Sequence, residues 1–217
     1  MCFLDIDEFL VIKGRNSLPR FMAPLEPHFD AAHFNWVIYG TNGRRTRQPG
    51  SVLMGLTRRN RQMNFHTKNV IRARFANPKW IWARIGKGAR AFWHFWDDYG
   101  FPGLRICDVL GVPPLFYSDR WPKRVHALVN RPGFQEHALA TAYVAHFQFK
   151  SEADFRRRSV RSKAANQKVW LKMFEEGRHE KLLAENDAVP DTCLRDFWEA
   201  QQPRRELVAA VGNGADP

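Results

Sequence analysis

The chain opens with an apolar run, Met1 to Ile12, that is rich in Phe, Ile, Val and Leu and is interrupted by Asp5 and Asp7. Such a run predicts a buried strand. On a regular strand, residues two apart point to the same face, so both carboxylates would approach one ion. Buried carboxylates need a cation or hydrogen-bond donors, and their oxygens suit magnesium or manganese. We therefore predict a metal site here, although a lone D-x-D is also typical of an edge strand or a turn.

Three later segments also have the periodicity of strands, namely residues 34–40, 68–75 and 142–150. The first of them ends in Thr41-Asn42-Gly43, a strong turn signal. The stretches Lys13 to Pro27 and Arg44 to Arg61 are broken by Pro and Gly and predict loops with short local helices at most.

A helix is predicted to begin at Ser151, because Ser151 and Asp154 form an S-x-x-D capping box. This helix carries many Arg and Lys residues, with Phe155, Val169, Trp170 and Phe174 as candidate buried positions. A basic amphipathic helix is typical either of a solvated surface or of contact with an anionic membrane.

The period of two places Lys68, Arg72 and Arg74 on one face, where their charge would suit a diphosphate. It also places His146 and Lys150 on one side of their strand. Asp30 and His33 stand just before the strand at 34–40 and would line the same edge of a cleft. His94 lies in an aromatic stretch, residues 80–99, of a kind that suits sugar rings, base stacking or core packing.

Composition narrows the class of protein. The 217 residues are 44% hydrophobic and 13% aromatic, which indicates a globular chain, and the formal net charge of +12 suits anionic partners. The three cysteines are far apart, which predicts reduced thiols and a cytoplasmic protein. No apolar run reaches the roughly 20 residues of a membrane span, and no signal peptide is recognisable, so we expect a soluble or membrane-peripheral protein.

Four blocks of the sequence, in order and within residues 1–165, resemble successive blocks of glycosyltransferase family 92 and the related bacterial family 2-like enzymes. They are Phe3 to Phe9, Asn35 to Gly43, Lys68 to Arg72 and His146 to Ser151. The chain has Phe147 where the family commonly has Tyr. The resemblance implies an α/β fold of the GT-A type that begins at the D-x-D motif, so that the nucleotide-binding half before the motif is missing. On this reading residues 1–175 are the GT-A-like portion, and residues 176–217 are a helical extension with a flexible tail.

The resemblance also implies a metal-dependent glycosyltransferase with a nucleotide-sugar donor, a glycan or lipid-linked acceptor, and Mn²⁺ or Mg²⁺ as cofactor. The expected metal ligands are Asp5, Asp7 and His146. A transfer that inverts the anomeric centre would also need a carboxylate base for the acceptor hydroxyl, and we expect Asp30 in this role because it precedes the strand of Trp36 and no other acid is better placed. Donor phosphates are expected to meet Arg72, Arg74, Lys150 and Ser151, and the sugar or the base is expected to meet Trp36, Gly40 and His94.

Two other classes of protein share some of these features. A haloacid-dehalogenase-like phosphatase would use Asp5 as its nucleophile, but it expects Thr or Val where Phe9 stands, and a Gly before an acidic pair that Asp97-Asp98 lacks. A nucleic-acid-binding module would concentrate its basic residues on one face. Here the basic residues are distributed along the whole chain, so we expect no nucleic acid partner.

Overall fold

The structure is a computed structural model that describes Cys2 and residues 4–14, 17–73, 105–113, 129–161 and 167–212. Its strands are β1 Glu8–Ile12, β2 Ala31–Ile38, β3 Arg58–Arg59, β4 Thr67–Ile71, β5 Ile106–Asp108, β6 Ala142–His146 and β7 Val189–Pro190. Its helices are α1 Leu18–Met22, α2 Val52–Gly55, α3 Phe134–Thr141, α4 Glu152–Arg161, α5 Gln167–Glu175, α6 Arg178–Asn186 and α7 Cys193–Gly212. The chain is therefore mixed α/β, in agreement with the α/β class that the resemblance implied.

The chain divides into two compact units that alternate along the sequence. The first unit consists of Met1–Ile38 and Gln62–His146, and the second of Tyr39–Arg61 and Phe147–Pro217. The predicted boundary at residue 175 falls inside the second unit, at the end of α5.

The first unit is built on a mixed sheet in the order β1-β6-β2-β4, with β5 also paired to β2. β1 is antiparallel to β6, β4 is antiparallel to β2, and β2 runs parallel to both β5 and β6. All residues of β2 and β6 are buried, including the polar residues His33, Asn35 and His146. The register places Glu8 opposite His146 and Lys68 opposite Phe34.

The prediction that Asp5 and Asp7 lie on a regular strand is wrong. β1 begins only at Glu8, and the two aspartates precede it in a turn closed by a hydrogen bond from the Glu8 amide to the Asp5 carbonyl, 3.0 Å long. A strand would have forced two like charges onto one buried face. The turn instead directs the Asp5 carboxylate to Lys68 and the Asp7 carboxylate to His146.

Two other strands end earlier than their periodicity predicted. β6 ends at His146, and Lys150 has a left-handed backbone with φ 47°, so the prediction that one strand brings both residues to one side is wrong. β4 ends at Ile71, which leaves Arg72 beyond the strand, and Arg74 lies outside the described residues.

In the second unit the capping box at the start of α4 is confirmed. The Ser151 hydroxyl accepts a hydrogen bond from the Asp154 amide at 3.1 Å and donates one to the Asp154 carboxylate at 2.9 Å. The buried Phe155 ring then packs on three other aromatic rings, with centroid distances of 4.4 Å to Phe149, 5.9 Å to Trp170 and 4.8 Å to Phe174. Val169, which was predicted to be buried, is 54% exposed.

The last helix, α7, continues through Pro203 to Gly212. Among the described residues, no helix is both long enough and apolar enough to cross a bilayer.

Candidate functional site

Three carboxylates lie within four residues at the start of β1, and we call residues Asp5 to Glu8 the acidic turn. Glu8 is the first residue of β1 and is paired across the sheet with His146, the last residue of β6. The register of β1 on β6 therefore brings the acidic turn and His146, which are far apart in the sequence, to one end of two neighbouring strands.

Asp7 meets His146 at this end of the sheet. The His146 Nε2 atom is 3.7 Å from the Asp7 Oδ1 atom, and the two side chains are 5% and 12% exposed. The edge of the Trp36 ring packs against the imidazole at a centroid distance of 4.4 Å, and the same ring stacks on His66 at 4.9 Å. Trp36 thus fixes the orientation of the imidazole.

Asp5 has a different partner, Lys68. The Lys68 ammonium lies 3.0 Å from the Asp5 carboxylate and 3.0 Å from the Glu8 carboxylate, and its side chain is 2% exposed. The Asp5 amide also donates to the Glu8 carboxylate at 2.9 Å. Glu8 is wholly buried, whereas 62% of the Asp5 side chain is exposed. The two aspartates of the D-x-D motif therefore have different partners and different exposure.

The sequence analysis did not predict that Glu8 is buried or that it forms an ion pair with Lys68. Two signals pointed to them: Glu8 directly follows the D-x-D in the same apolar run, and Lys68 begins a segment with strand periodicity. A buried carboxylate and a buried ammonium are expected to pair, because burying either charge alone costs a large desolvation free energy.

Burial dominates the electrostatics of this region. It raises the pKa of the Glu8 carboxyl, opposed by the hydrogen bond from the Asp5 amide and by Lys68. It also raises the pKa of the Cys2 thiol, opposed by the N-terminus and by Lys68, so that Cys2 stays a neutral thiol. The Glu8 Oε1 atom is buried and accepts no hydrogen bond from any residue that the structure describes.

The carboxylate and imidazole groups of this region could bind a divalent ion if that ion also had other ligands. Among the described residues, no group of three His, Cys, Asp or Glu side chains is placed to hold a metal ion unaided. Asp7 and His146 nevertheless offer one carboxylate oxygen and one imidazole nitrogen in close proximity. Mg²⁺ is commonly bound in this way, through one or two carboxylates together with substrate phosphates and water, and imidazole nitrogen is also a ligand of transition metals.

Asp30, the predicted base, belongs to a different cluster. It is 3% exposed, and its oxygens lie 3.4 Å from the Arg72 Nε atom and 3.2 Å from the Arg105 Nε atom. Arg72 also donates to the carbonyl groups of Phe29 and Glu26.

Lys68 and Arg72 were predicted to face one diphosphate, but they pair with different carboxylates, Lys68 with Asp5 and Glu8 and Arg72 with Asp30. Asp30 and Arg72 line a cavity of about 390 Å³, together with Met22, Val70 and others.

Gly40 lies in the second unit, in a turn that we call the Asn-Gly turn, residues 40–43. Asp187 accepts hydrogen bonds from the Asn42 amide at 2.8 Å, the Gly43 amide at 3.0 Å and the Thr41 hydroxyl at 3.2 Å. A Cβ atom on Gly40 would lie 2.2 Å from the Asp187 carboxylate. It would also lie 2.7 Å from the Asn186 carbonyl oxygen, so packing against Asp187 and Asn186 explains the glycine. Its predicted contact with substrate stays a prediction.

The predicted turn itself is present, with φ 54° at Asn42 and φ 71° at Gly43. Both values are positive, as a type I′ turn requires.

The remaining predicted site residues are placed as follows. The Ser151 hydroxyl is buried and serves as the cap of α4, and Lys150 occupies the left-handed position before it. His94 and Arg74 lie outside the described residues.

No family model, curated protein or solved structure matches the chain. The structure establishes a mixed α/β chain whose first unit contains a mixed sheet. The assignment to a glycosyltransferase family stays an expectation, which rests on the resemblance of four sequence blocks.

Proposed function

We propose that the chain is the portion of a GT-A glycosyltransferase that contains the D-x-D motif, and that it takes part in moving a sugar from a nucleotide-sugar donor to a glycan, lipid-linked or other hydroxyl acceptor. The observation that supports this proposal is the close approach of the Asp7 Oδ1 atom and the His146 Nε2 atom, which are 3.7 Å apart. These two residues come from the first and the last of the blocks that resemble the family. The positive net charge is consistent with an anionic donor.

Each residue of the site has a distinct role in this proposal. Asp7 and His146 would hold Mn²⁺ or Mg²⁺, and a bound divalent ion would neutralise the charge that develops on a diphosphate leaving group. Trp36 orients the imidazole, and Lys68 holds the acidic turn through Asp5 and Glu8. The exposed carboxylate of Asp5 can accept hydrogen bonds from donor hydroxyl groups.

The base for the acceptor hydroxyl is still predicted to be Asp30. Both of its oxygens are engaged by guanidinium groups. It would therefore have to exchange an arginine for the acceptor hydroxyl before it could take the proton.

Metal binding tests the proposal without requiring that the acceptor be known. Titration of Mn²⁺ in the presence of a nucleoside diphosphate, followed by electron paramagnetic resonance, should give at least about tenfold weaker binding for Asp7→Asn than for the wild type, since loss even of a group that supports a ligand costs about that much. Asp5→Asn should have a smaller effect. Asp196→Asn, which changes an exposed carboxylate on α7, is the matched control.

Equal Mn²⁺ affinity in the wild type and in Asp7→Asn would refute the assignment of the metal site. The donor class is then sought by a screen of nucleotide sugars with manganese, in which release of nucleoside diphosphate is measured. Hydrolysis of p-nitrophenyl phosphate that Asp5→Asn abolishes would instead favour the phosphatase class.

A further inference from the structure

The cavity beside Asp30 has the size of a site for a small molecule. Its volume is about 390 Å³, and such sites usually enclose about 300–1,000 Å³. Its lining residues all belong to the first unit, and they come from the end of α1, the residues before β2 and the end of β4. These three parts of the chain therefore enclose space that can admit a ligand.

The walls of the cavity are largely apolar. Met22, Val70 and Ile71 line it and are 9%, 6% and 5% exposed, and Phe29 adds an aromatic side chain. Small-molecule sites are typically lined in this way, with a few polar groups that fix the orientation of the ligand. An apolar ligand body in the cavity would leave water, which is favourable.

One polar group of the cavity, the Asp30 carboxylate, already has its partners. Its Oδ1 atom lies 3.4 Å from the Arg72 Nε atom, and its Oδ2 atom lies 3.2 Å from the Arg105 Nε atom. The Arg105 amide also donates to Oδ2 at 3.2 Å. The carboxylate is thus satisfied by protein donors, and it does not call for a cationic ligand.

The second polar group, the Arg72 guanidinium, has donors in excess. Its Nε group faces the Asp30 carboxylate and the Phe29 carbonyl oxygen, and its Nη2 group donates to the Glu26 carbonyl oxygen. Its Nη1 group donates to no residue in the part of the chain that the structure describes. A guanidinium carries five N–H donors in one plane. Nη1 and the second N–H of Nη2 therefore form a fork that can pair with both oxygens of a carboxylate.

We infer that the cavity binds a small molecule that has an apolar body and one carboxylate group, and that Arg72 pairs with this carboxylate. The Arg72 side chain is 34% exposed, so a ligand can reach it from solvent. Glu26 also lines the cavity, and its charge would repel a dianionic phosphate more strongly than a carboxylate with a single charge. This inference does not depend on the proposed glycosyltransferase activity.

Isothermal titration calorimetry of the full chain with 3-phenylpropanoate tests the inference. This probe has an aromatic body and one carboxylate. We expect it to bind at least about tenfold more tightly than 3-phenylpropanamide, which has the same shape without the charge, because hydrogen bonds to charged groups are the stronger ones. Propanoate, which lacks the ring, should also bind more weakly than 3-phenylpropanoate.

Substitution of Arg72 should weaken the binding of 3-phenylpropanoate. We expect a loss of at least about tenfold in Arg72→Gln and a smaller loss in Arg72→Lys, which keeps the charge without the planar fork. The matched control is Arg105→Gln, since Arg105 binds the same Asp30 carboxylate but is not among the residues that line the cavity. It should retain most of the binding. Circular dichroism and thermal unfolding check that each variant is folded.

Four results would each overturn the inference. They are no binding of 3-phenylpropanoate to the wild type, equally tight binding of 3-phenylpropanamide, equal losses in Arg72→Gln and Arg105→Gln, and tighter binding of 3-phenylpropyl phosphate than of 3-phenylpropanoate. The second result would identify a purely apolar cavity, and the fourth would identify a phosphate site.

Discussion

The acidic turn and the Asn-Gly turn each depend on carboxylates, but the two turns satisfy them differently. In the acidic turn, Asp5 and Glu8 lie against the Lys68 ammonium and Asp7 lies near the His146 imidazole, and the buried Glu8 Oε1 atom has no hydrogen-bond donor among the described residues. In the Asn-Gly turn, the single carboxylate of Asp187 accepts hydrogen bonds from three donors. Both oxygens of Asp187 are therefore engaged.

This difference separates a candidate binding site from a structural anchor. Buried polar groups in folded proteins almost always have partners, and Glu8 Oε1 lacks a hydrogen-bond donor among the described residues. A buried carboxylate oxygen without such a donor, in a turn that also contains Asp5 and Asp7, is suited to a bound cation. Both oxygens of Asp187 are engaged instead, so the role of Asp187 is to fix the backbone of residues 41–43.

The largest effect is expected from Lys68→Met. Removal of the ammonium leaves the buried Glu8 carboxylate without its counter-ion, and breaking a buried pair costs about 3–5 kcal/mol of the free energy of unfolding. Urea denaturation measures this loss. The double variant Lys68→Met/Glu8→Gln should recover part of the stability, because no uncompensated charge is then buried.

Lys181→Met is the matched control for this experiment, because the Lys181 side chain is 85% exposed. It should change the stability by less than about 0.5 kcal/mol, as surface substitutions usually do. Similar small losses in Lys68→Met and Lys181→Met would show that Lys68 is not the counter-ion that the acidic turn needs.

A smaller effect is expected in the Asn-Gly turn. Gly40→Ala places a Cβ atom 2.2 Å from the Asp187 carboxylate, and such overpacking costs about 1–3 kcal/mol. Asp187→Ala removes three hydrogen bonds to a charged group, and we expect it to cost about 2 kcal/mol. The loss in the double variant should be smaller than the sum of the two single losses, because the colliding carboxylate is then absent and only the Asn186 carbonyl oxygen, 2.7 Å from the added Cβ atom, still collides.

The same variants also test the contrast between the two turns. Gly40→Ala and Asp187→Ala should leave Mn²⁺ binding unchanged, since the Asn-Gly turn supplies no surplus acceptor. Additive losses of stability would show that Asp187 is not what Gly40 accommodates. A clear loss of Mn²⁺ affinity would show that the two turns are not functionally separate.

The smallest effect is expected at His33, which lies in neither turn. It concerns how the free energy of unfolding depends on pH. Burial, helped by Arg131, holds the pKa of His33 well below its ordinary value of 6.5. The unfolded chain therefore takes up a proton first as the pH falls below 6.5, and the folded state loses up to roughly 1.4 kcal/mol per pH unit.

Urea denaturation between about pH 5 and pH 7, the range in which histidine titrates, should show this slope in the wild type and a shallower slope in His33→Asn. The exposed His28, replaced in the same way, is the control and should leave the slope unchanged. An identical slope in all three proteins would contradict the assignment to His33.

Features that depend on residues close together in the chain were predictable from the sequence alone. The Ser151 capping box and the Asn42-Gly43 turn were found where the sequence predicted them, because their hydrogen bonds and backbone angles are fixed within a few residues. The α/β class was expected from the family resemblance. The position of His146 near Asp7 was expected from the family resemblance, with no local signal that joins the two residues.

Only the tertiary structure decided how the charges are paired. Asp5 and Asp7 look equivalent in the sequence, but the start of β1 at Glu8 directs one to Lys68 and the other to His146. The strand registers within the first unit's sheet, and the approach of Asp187 to the Asn-Gly turn, are set by the packing of distant segments. Ion pairs between such segments carry no periodicity in the sequence, and that is why the separate roles of the two aspartates and the burial of Lys68 could not be predicted from it.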